Sequence, residues 1–261
     1  MILRAVTPTP GAESKPRNQY LFFMIRLLAL LPLILFLLSC QSPDSNESPE
    51  VSSPTIMTAN STTPFLEIVV YTVPDEAAFP TALRDVQRDL GEWGHSPTYW
   101  THWRSAEGNL RADVVVWPSQ EAALAAARVV ATDPKLAYFT AAIDTVNHFG
   151  HYRTTTEGEE LRRQLTTGNL LELALFTSTD ASKTAATHPA LHDALVTRTG
   201  LHLHAPLRGA DNPEHFGDLA LWASADDHRA AGEALVSKPQ LAPYFGSIGE
   251  MPVFALFTPV R

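Results

Sequence analysis

Four segments of the chain recur at one constant separation of 105 residues, and this repeat limits the fold more than any other feature. The longest pair is an apolar run that begins at Phe65 and again at Leu170. The matched segments are FLEIVVYT at 65–72 with LLELALFT at 170–177, DVVVWPS at 113–119 with DLALWAS at 218–224, PKLA at 134–137 with PQLA at 239–242, and Phe149 with Phe254. Because a solenoid needs about three or more repeats, the sequence predicts a tandem pair of similar domains.

Each copy shows the same order of apolar patterns. The first segment is apolar and rich in β-branched residues, which is typical of a buried strand. In copy one, Phe79, Leu83, Val86 and Leu90 form one helical stripe, and Ser119 is a candidate N-cap for a second helix. Copy one is predicted to contain strands 66–73, 97–103, 112–117 and 145–152 with helices 79–90, 120–131 and 133–142, and copy two strands 170–177, 201–207, 217–222 and 252–258 with helices near 188–198, 225–236 and 238–245. The order β-α-β-β-α-β is the ferredoxin-like arrangement.

The first strand of copy one is apolar on both faces, since Leu66 and Ile68 alternate with Val69 and Tyr71. Helices on one side of a sheet leave its other face bare, and an apolar face has to be covered. We expect the sister copy to cover it. The predicted fold class is α+β: tandem ferredoxin-like (βαββαβ) repeats at 65–153 and 170–261, joined by a linker at 154–169 and packed sheet to sheet as an intramolecular dimer.

The N-terminal segment is typical of a secretory signal. Arg26 precedes twelve apolar residues, Leu27–Leu38, a length that suits a signal peptide and falls short of the ~20 residues of a spanning helix. The run ends in Leu-Leu-Ser-Cys at Cys40, which resembles a bacterial lipobox. We therefore predict a signal peptide at 1–40, lipidation of Cys40 as the mature N-terminus, and a disordered tether at 41–64 that is rich in Ser, Thr, Pro and Asn.

This interpretation predicts an extracytoplasmic protein that is anchored to a bacterial membrane by lipid on Cys40. In a host with two membranes we expect the outer membrane or periplasm, because Gln41-Ser42 lacks the aspartate that usually holds lipoproteins at the inner membrane. A signal anchor over Tyr20–Leu38 is the alternative, and Met24 is a second candidate start.

Composition excludes some functions and partners. The formal charge is −9 and no cluster of Lys and Arg occurs, so we expect no nucleic-acid binding, which needs a basic face. Cys40 is the one cysteine, so neither an intrachain disulfide nor a cysteine-based metal site can form. The partners that we expect are membrane lipid through Cys40, a small apolar ligand, and a second copy of the chain in a homo-oligomer.

The segment Trp117-Pro-Ser-Gln-Glu-Ala-Ala123, followed by Thr132-Asp133-Pro134 and Leu136, resembles the dimeric α/β-barrel superfamily. Within that superfamily it is similar to the antibiotic-biosynthesis-monooxygenase-like domains and their haem-degrading relatives. Copy two has the same outline in Trp222-Ala-Ser224 and Ser237-Lys-Pro239. The resemblance covers both copies and implies an intramolecular dimeric α/β barrel.

The resemblance also implies a ligand site between the sheet and its helices, with a strand-end tryptophan in its wall. That position corresponds to Trp117 and Trp222. The haem-degrading relatives add an Asn on the first strand and an iron-ligating His on the short helix. Neither residue is found in either copy, so no cofactor is predicted and haem lacks its expected iron ligand.

Several side chains are candidates for ligand binding or chemistry. Trp117, Trp222, Tyr71 and Phe176 are candidate ligand-binding residues, and core packing is the alternative for each. Glu67 is a candidate general base, because burial in an apolar strand raises the pKa of a carboxyl group; an exposed strand end is the alternative. Glu172 is its match in copy two.

The chain has ten histidines. His202 and His204 lie on one face of a predicted strand, a spacing that can chelate a metal ion, and His102 or His215 is the candidate third ligand. His148 is a second candidate base. Surface or partly buried histidines are the alternative for all of them.

Three functions are consistent with these observations. The first is a lipoprotein that binds a small apolar or aromatic ligand between sheet and helices. The second is a cofactor-independent monooxygenase in which Glu67 or His148 is the base. The third is a non-catalytic structural or interaction module at the envelope.

Overall fold

The computed structural model describes residues 63–105 and 109–260. The predicted signal peptide, the lipidation site at Cys40 and nearly all of the tether lie outside the described residues. In the part of the chain that the structure describes, no helix has both the length and the apolar character that crossing a membrane requires.

Both copies have the predicted βαββαβ order. Repeat 1 consists of β1 (Phe65–Thr72), α1 (Phe79–Glu92), β2 (Tyr99–Ser105), β3 (Leu110–Trp117), α2 (Gln120–Thr132), a 3-10 turn (Pro134–Leu136), α3 (Ala137–Ala141) and β4 (Thr145–Arg153). After α4 (Gly158–Thr167), repeat 2 consists of β5 (Leu170–Thr177), α5 (Ala181–Leu195), β6 (Leu201–Gly209), β7 (His215–Trp222), α6 (Ala225–Val236), a 3-10 turn (Pro239–Leu241), α7 (Ala242–Phe245) and β8 (Val253–Pro259).

Helix α5 begins earlier than the sequence pattern indicated. The predicted start near residue 188 is wrong, because the side chain of Asp180 caps the helix by accepting a hydrogen bond from the Lys183 backbone N–H. Pro189 therefore lies inside the helix and not at its first turn. His188 consequently belongs to the helix and faces the sheet.

The predicted linker at 154–169 contains helix α4. Two of its side chains, Leu161 and Leu165, are buried and belong to the same apolar cluster as the inward-facing strand residues. They lie four positions apart and so share one face of the helix. The connection between the repeats is therefore part of the core.

The eight strands form one closed antiparallel barrel with the order β1-β3-β2-β8-β5-β7-β6-β4. Strand β2 pairs with β8, where Trp103 lies opposite Pro259, and β4 pairs with β6, where Tyr152 lies opposite Gly209. These two junctions join the repeats and leave no open sheet edge. The predicted α+β class, with two ferredoxin-like sheets packed against each other, is confirmed.

Alternate residues of each strand face the barrel interior or the helices. Ile68 and Leu173 face the interior, in one cluster drawn from both repeats. On the opposite face of β1 and β5, the side chains pack against the helices of their own repeat. The matched aspartates Asp113 and Asp218 lie opposite Val69 and Ala174 in the ladders, on this helix-facing side. A carboxylate is thus placed between sheet and helices in each repeat.

Candidate metal centre

Asp113 and Asp218 are the matched acidic residues of the two repeats, and both are buried, with 3% and 8% exposure. A carboxylate in an apolar layer is costly unless it is hydrogen-bonded or paired. The two repeats meet this need with different residues, and those residues define the candidate site.

In repeat 2, three side chains converge on Asp218. His188 Nε2 lies 2.7 Å and His204 Nε2 lies 2.8 Å from the same oxygen, Oδ1. The Tyr244 hydroxyl donates to the other oxygen, Oδ2, at 2.6 Å. All four residues are buried. One carboxylate oxygen is therefore shared by two imidazoles from two different elements.

The elements fix these positions for simple reasons. His188 belongs to the buried stripe of α5 together with Thr184, Leu191 and Leu195, so the helix presents it to the sheet. On β6, His204 lies opposite Ala220 of β7, and Ala220 is two residues after the aspartate and on the same face.

Electrostatics keep Asp218 ionised. Burial acts to raise the pKa of Asp218, but the hydrogen bonds from His188 and His204 outweigh it and hold the pKa well below its usual value. Burial, followed by the negative charge of Asp218, raises the pKa of Tyr244 far above its usual range. Tyr244 therefore stays protonated and acts as the hydrogen-bond donor.

A fifth residue extends the cluster toward the surface. His192 Nδ1 lies 3.0 Å from His204 Nδ1, and the two rings stack. Burial and the neighbouring His204 lower the pKa of His192. A neutral His192 can donate to His204 or accept from it, so it can match either tautomer of the buried ring.

His188, His204 and Asp218 can together hold a metal ion. Each offers one ligand atom, and these atoms all lie within 4.8 Å of one another. Two imidazoles and one carboxylate are a donor set for divalent transition metals. Tyr244 and His192 would then orient the ligands from behind, as hydrogen-bond partners of ligating groups commonly do.

The matching position in repeat 1 has a different set of partners. His102 Nδ1 lies 2.5 Å from Asp113 Oδ1, and the Tyr71 hydroxyl donates to Asp113 Oδ2 at 3.1 Å. Leu83 matches His188 at the offset of 105. Trp100 matches His204 by its place in the strand ladder, since Trp100 lies opposite Val115 and His204 lies opposite the equivalent Ala220. Repeat 1 therefore keeps the carboxylate without the two imidazoles of repeat 2.

The four candidate ligand-binding residues lie in the packed layers between sheet and helices. Trp117 and Trp222 are 4% and 1% exposed and pack under α2 and α6. The Trp222 indole N–H donates to Glu172 Oε2 at 2.9 Å. Tyr71 bonds Asp113, and Phe176 packs against Phe216 and Tyr244.

The two candidate bases lie on opposite faces of the barrel wall. Glu67 faces the helices, with Oε2 3.3 Å from Nε2 of the buried His151. His148 faces the interior, where its Nε2 lies 2.8 Å from the Tyr152 hydroxyl. Burial lowers the pKa of His148 to about 4. The structure therefore gives each candidate base a separate partner.

Of the predicted chelating pair, His204 belongs to the buried cluster and His202 does not. The β6–β7 register shifts between Leu201 and Leu203, and the intervening His202 is exposed. His102 and His215 are not members of the cluster either, because its third ligand is His188 from α5.

The sheet–helix layer does not fit haem. Pockets for molecules of that size measure roughly 300–1,000 Å³. Beside His188, the layer is filled by Phe176, Phe216 and Tyr244, which are all nearly fully buried. Two clefts of the described surface, of about 420 and 150 Å³, are lined by other residues.

Three members of the site, His188, Asp218 and Tyr244, are not among the candidates that the sequence patterns predict. The repeat itself contains a signal for His188, in the apolar stripe of helix α5. The stripe of α5 aligns with that of α1 at the same offset of 105, so His188 takes the place of the buried Leu83. Extending the repeat from the strands to the helices places this histidine against the sheet.

Comparison with known proteins supports the fold and not a particular activity. No family model matches the chain, and no curated protein matches it. Solved structures that share the architecture include an anthrone oxidase-like protein (TM-score 0.55, 11% identity, covering 78% of this chain and 94% of that one). Others are a monooxygenase candidate from Fusobacterium nucleatum (0.54, 9%, 76% and 93%) and a chlorite dismutase candidate (0.54, 10%, 76% and 96%). The chain therefore has the dimeric α/β-barrel fold, with both halves of the barrel supplied by one polypeptide.

Proposed function

We propose that this protein is a metal-binding envelope lipoprotein, in which repeat 2 holds one divalent transition-metal ion through His188, His204 and Asp218. The observation that carries the proposal is the convergence of two buried imidazole nitrogens on one buried carboxylate oxygen, at 2.7 and 2.8 Å.

The geometry requires little rearrangement for a metal ion. Metal–ligand bonds to imidazole and carboxylate are about 2.0–2.2 Å long, so neighbouring donor atoms lie roughly 3 Å apart around an ion. The three donor atoms are already within 4.8 Å of one another. A metal ion would replace the direct hydrogen bonds, and His204 would then donate its Nδ1 proton to His192.

Repeat 1 supports the proposal because it shows which residues the fold accepts at the positions of His188 and His204. The same barrel wall and the same aspartate are found there with Leu83 and Trp100 in place of the two histidines. The fold thus accommodates apolar side chains at both positions. Repeat 1 stabilises its aspartate with one histidine, His102, and one tyrosine, so the second imidazole of repeat 2 is consistent with a ligand requirement and is not demanded by packing.

The surroundings favour metal binding over turnover at this site. All three ligands are buried, and two clefts of the described surface are lined by other residues. A substrate would need an access path as well as an open coordination position. We therefore propose binding of the ion, at the envelope if Cys40 is lipidated, without assigning a reaction.

Titration of the metal-free full chain with Zn²⁺ and Co²⁺ by calorimetry tests the proposal. We expect one ion per chain in the wild type. His188→Leu installs the residue of repeat 1, so the fold should be kept while the high-affinity site is lost. His202→Gln is the control, because it removes an exposed histidine next to the site and should leave binding unchanged. Equal binding by wild type and His188→Leu would contradict the proposal.

A second candidate function is the predicted binding of a small apolar or aromatic ligand between sheet and helices, which we place in repeat 1. Its support is that the buried indole N–H groups of Trp100 and Trp117 have no hydrogen-bond partner among the described residues, and the two rings belong to one cluster. A ligand with an acceptor atom would satisfy them. A thermal shift with quinones that is reduced by Trp117→Phe would support this function, and no shift in the wild type would count against it.

A further inference from the structure

A cleft of the described surface is lined mainly by residues of repeat 1 and shares no residue with the candidate metal centre. Its volume is about 420 Å³. Repeat 1 lines it with Glu76, Pro80, Arg104 and Arg111, and repeat 2 lines it with Thr258 and Pro259 of β8 and the next residue, Val260. The walls therefore combine two cations and one carboxylate with apolar surface. The second repeat contributes only the strand that joins the two halves.

Arg111 is the unusual residue of this cleft. It is 3% exposed, and its guanidinium pairs with the carboxylate of Glu76. Its Nε is buried and has no hydrogen-bond partner among the described residues, and the same holds for Glu76 Oε1. A buried cation with an unused donor is costly. The pair is therefore incompletely satisfied within the described structure.

The second repeat shows that the barrel does not need this charge pair. The residues that match Glu76 and Arg111 at the offset of 105 are Ala181 and Phe216. Phe216 is almost fully buried and packs against Phe176. Replacing a buried ion pair by apolar residues is often neutral or stabilising. Retention of the pair in repeat 1 therefore points to a role beyond folding.

Arg104 adds a second cation at the cleft. It lies directly opposite Arg111 in the β2–β3 ladder, and like charges in such a position destabilise a sheet unless an anion lies between or beside them. The Glu76 carboxylate supplies that anion on one side. Its side chain is 37% exposed and lies on the loop between β1 and α1, so it can move away without breaking a strand or helix.

We propose that this cleft binds a small molecule with a carboxylate on an apolar body, and that the Glu76 carboxylate occupies the ligand's place at Arg111 in the free protein. The ligand carboxylate would pair with Arg111 and Arg104, as guanidinium groups commonly pair with carboxylates. The apolar body would lie against Pro80, Pro259 and Val260. The proposal is independent of the metal site.

Titration of the full chain with benzoate by calorimetry tests this proposal, with benzamide as the neutral analogue and phenyl phosphate as the other oxyanion. We expect saturable binding of benzoate and none of benzamide. Arg111→Phe should weaken benzoate binding about tenfold or more, since a charge-assisted pair is lost. Arg104→Gln should weaken benzoate binding as well. Arg208→Gln should not, and it is the matched control because Arg208 lies opposite Phe216 in repeat 2 as Arg104 lies opposite Arg111 in repeat 1.

Glu76→Ala decides whether that carboxylate stands in for the ligand. Removing the internal competitor should raise the affinity for benzoate several-fold. A lower affinity would show that Glu76 contacts the ligand and would overturn its assigned role. Failure of benzoate to bind wild type and Glu76→Ala alike would overturn the site, and tighter binding of phenyl phosphate would overturn the carboxylate class.

The double variant Glu76→Ala/Arg111→Phe carries repeat 2's own residues and should remain folded by circular dichroism.

Discussion

The two matched aspartates show how one buried charge can be stabilised from different positions. Asp113 receives its tyrosine hydroxyl from Tyr71 on β1, whereas Asp218 receives it from Tyr244 on the short helix α7. At the offset of 105, Tyr71 matches Phe176 of repeat 2, and Tyr244 matches Phe139 of repeat 1. The requirement for a donor is shared, and the residue that supplies it is not.

Tyr244→Phe should lower the free energy of unfolding by about 1.5–3 kcal/mol, the usual worth of a hydrogen bond to a charged group. The ring is retained and the matching residue is already Phe139, so packing should change little. Urea unfolding measures the effect. Tyr71→Phe, whose bond is longer at 3.1 Å, is the matched variant and should cost less. Equal stability of Tyr244→Phe and wild type would contradict the assigned role of the hydroxyl.

His148 should make stability depend on pH. Burial lowers its folded-state pKa to about 4, below the ordinary unfolded value of about 6.5. Protonation therefore favours the unfolded chain, so this contribution is intact above pH 6.5 and is lost as the pH falls toward 4. Between pH 7 and 4.5 the wild type should lose about 2 kcal/mol that His148→Gln does not lose. An identical loss in both proteins, by chemical denaturation, would contradict the prediction.

At the residue scale, the sequence predicts single members of the metal cluster better than it predicts which side chains come together in it. His204 is a metal candidate from the sequence, yet the other members of its cluster come from α5, β7 and α7 and lie 12 to 40 positions away in the chain. Grouping by neighbours in sequence selected His202, which the register shift leaves exposed. The site is also not repeated, so comparison of the copies directed attention to shared scaffold residues.

At the scale of elements, helix α4 carries more of the fold than a connection would. Leu161 and Leu165 enter the interior cluster, while the charged residues Glu159, Arg162 and Arg163 stay at the surface. The spacing of the two leucines among charged residues is a helical signal. Comparison of the two copies does not reveal helix α4, because the segment lies between the copies and has no counterpart in either.

Leu165→Ala should lower the free energy of unfolding by roughly 2–5 kcal/mol, the usual cost of truncating a buried leucine. Arg163→Ala in the same helix should cost less than about 1 kcal/mol, because its pair with Glu160 is exposed. Urea unfolding of both variants checks this. Similar small losses would show that α4 is only a connection.

Strands were the elements that sequence predicted best. Strand β5 was predicted with the bounds that are observed, and β1 to within one residue. Both are buried on two faces, which produces a continuous apolar run with a clear start and end. Helix α5 begins earlier than predicted, because a proline at position 189 is typical of a first helical turn, whereas the Asp180 cap begins the helix eight residues before it.

For the whole molecule, closure through β2–β8 and β4–β6 makes the two repeats one folding unit. Each repeat alone would expose two strand edges, and the interior cluster contains residues of both repeats and of α4. The repeat pattern predicted the shared interior, because the bare sheet faces had to be covered. The strand pairing at the two junctions needed the three-dimensional structure.

The chain should therefore unfold in a single transition. Four of the five tryptophans lie in repeat 1 and only Trp222 in repeat 2, so tryptophan fluorescence reports mainly repeat 1, whereas far-ultraviolet circular dichroism reports both. We expect the two urea curves to coincide. Separate midpoints would show that the repeats unfold independently.

The metal site in repeat 2 is the central functional claim, and X-ray diffraction from the full chain crystallised with Zn²⁺ at the zinc absorption edge tests it most directly. The proposal predicts an anomalous peak within about 2.0–2.2 Å of His188 Nε2, His204 Nε2 and an oxygen of Asp218. Absence of a peak there, with both histidines still hydrogen-bonded directly to Asp218, would contradict it.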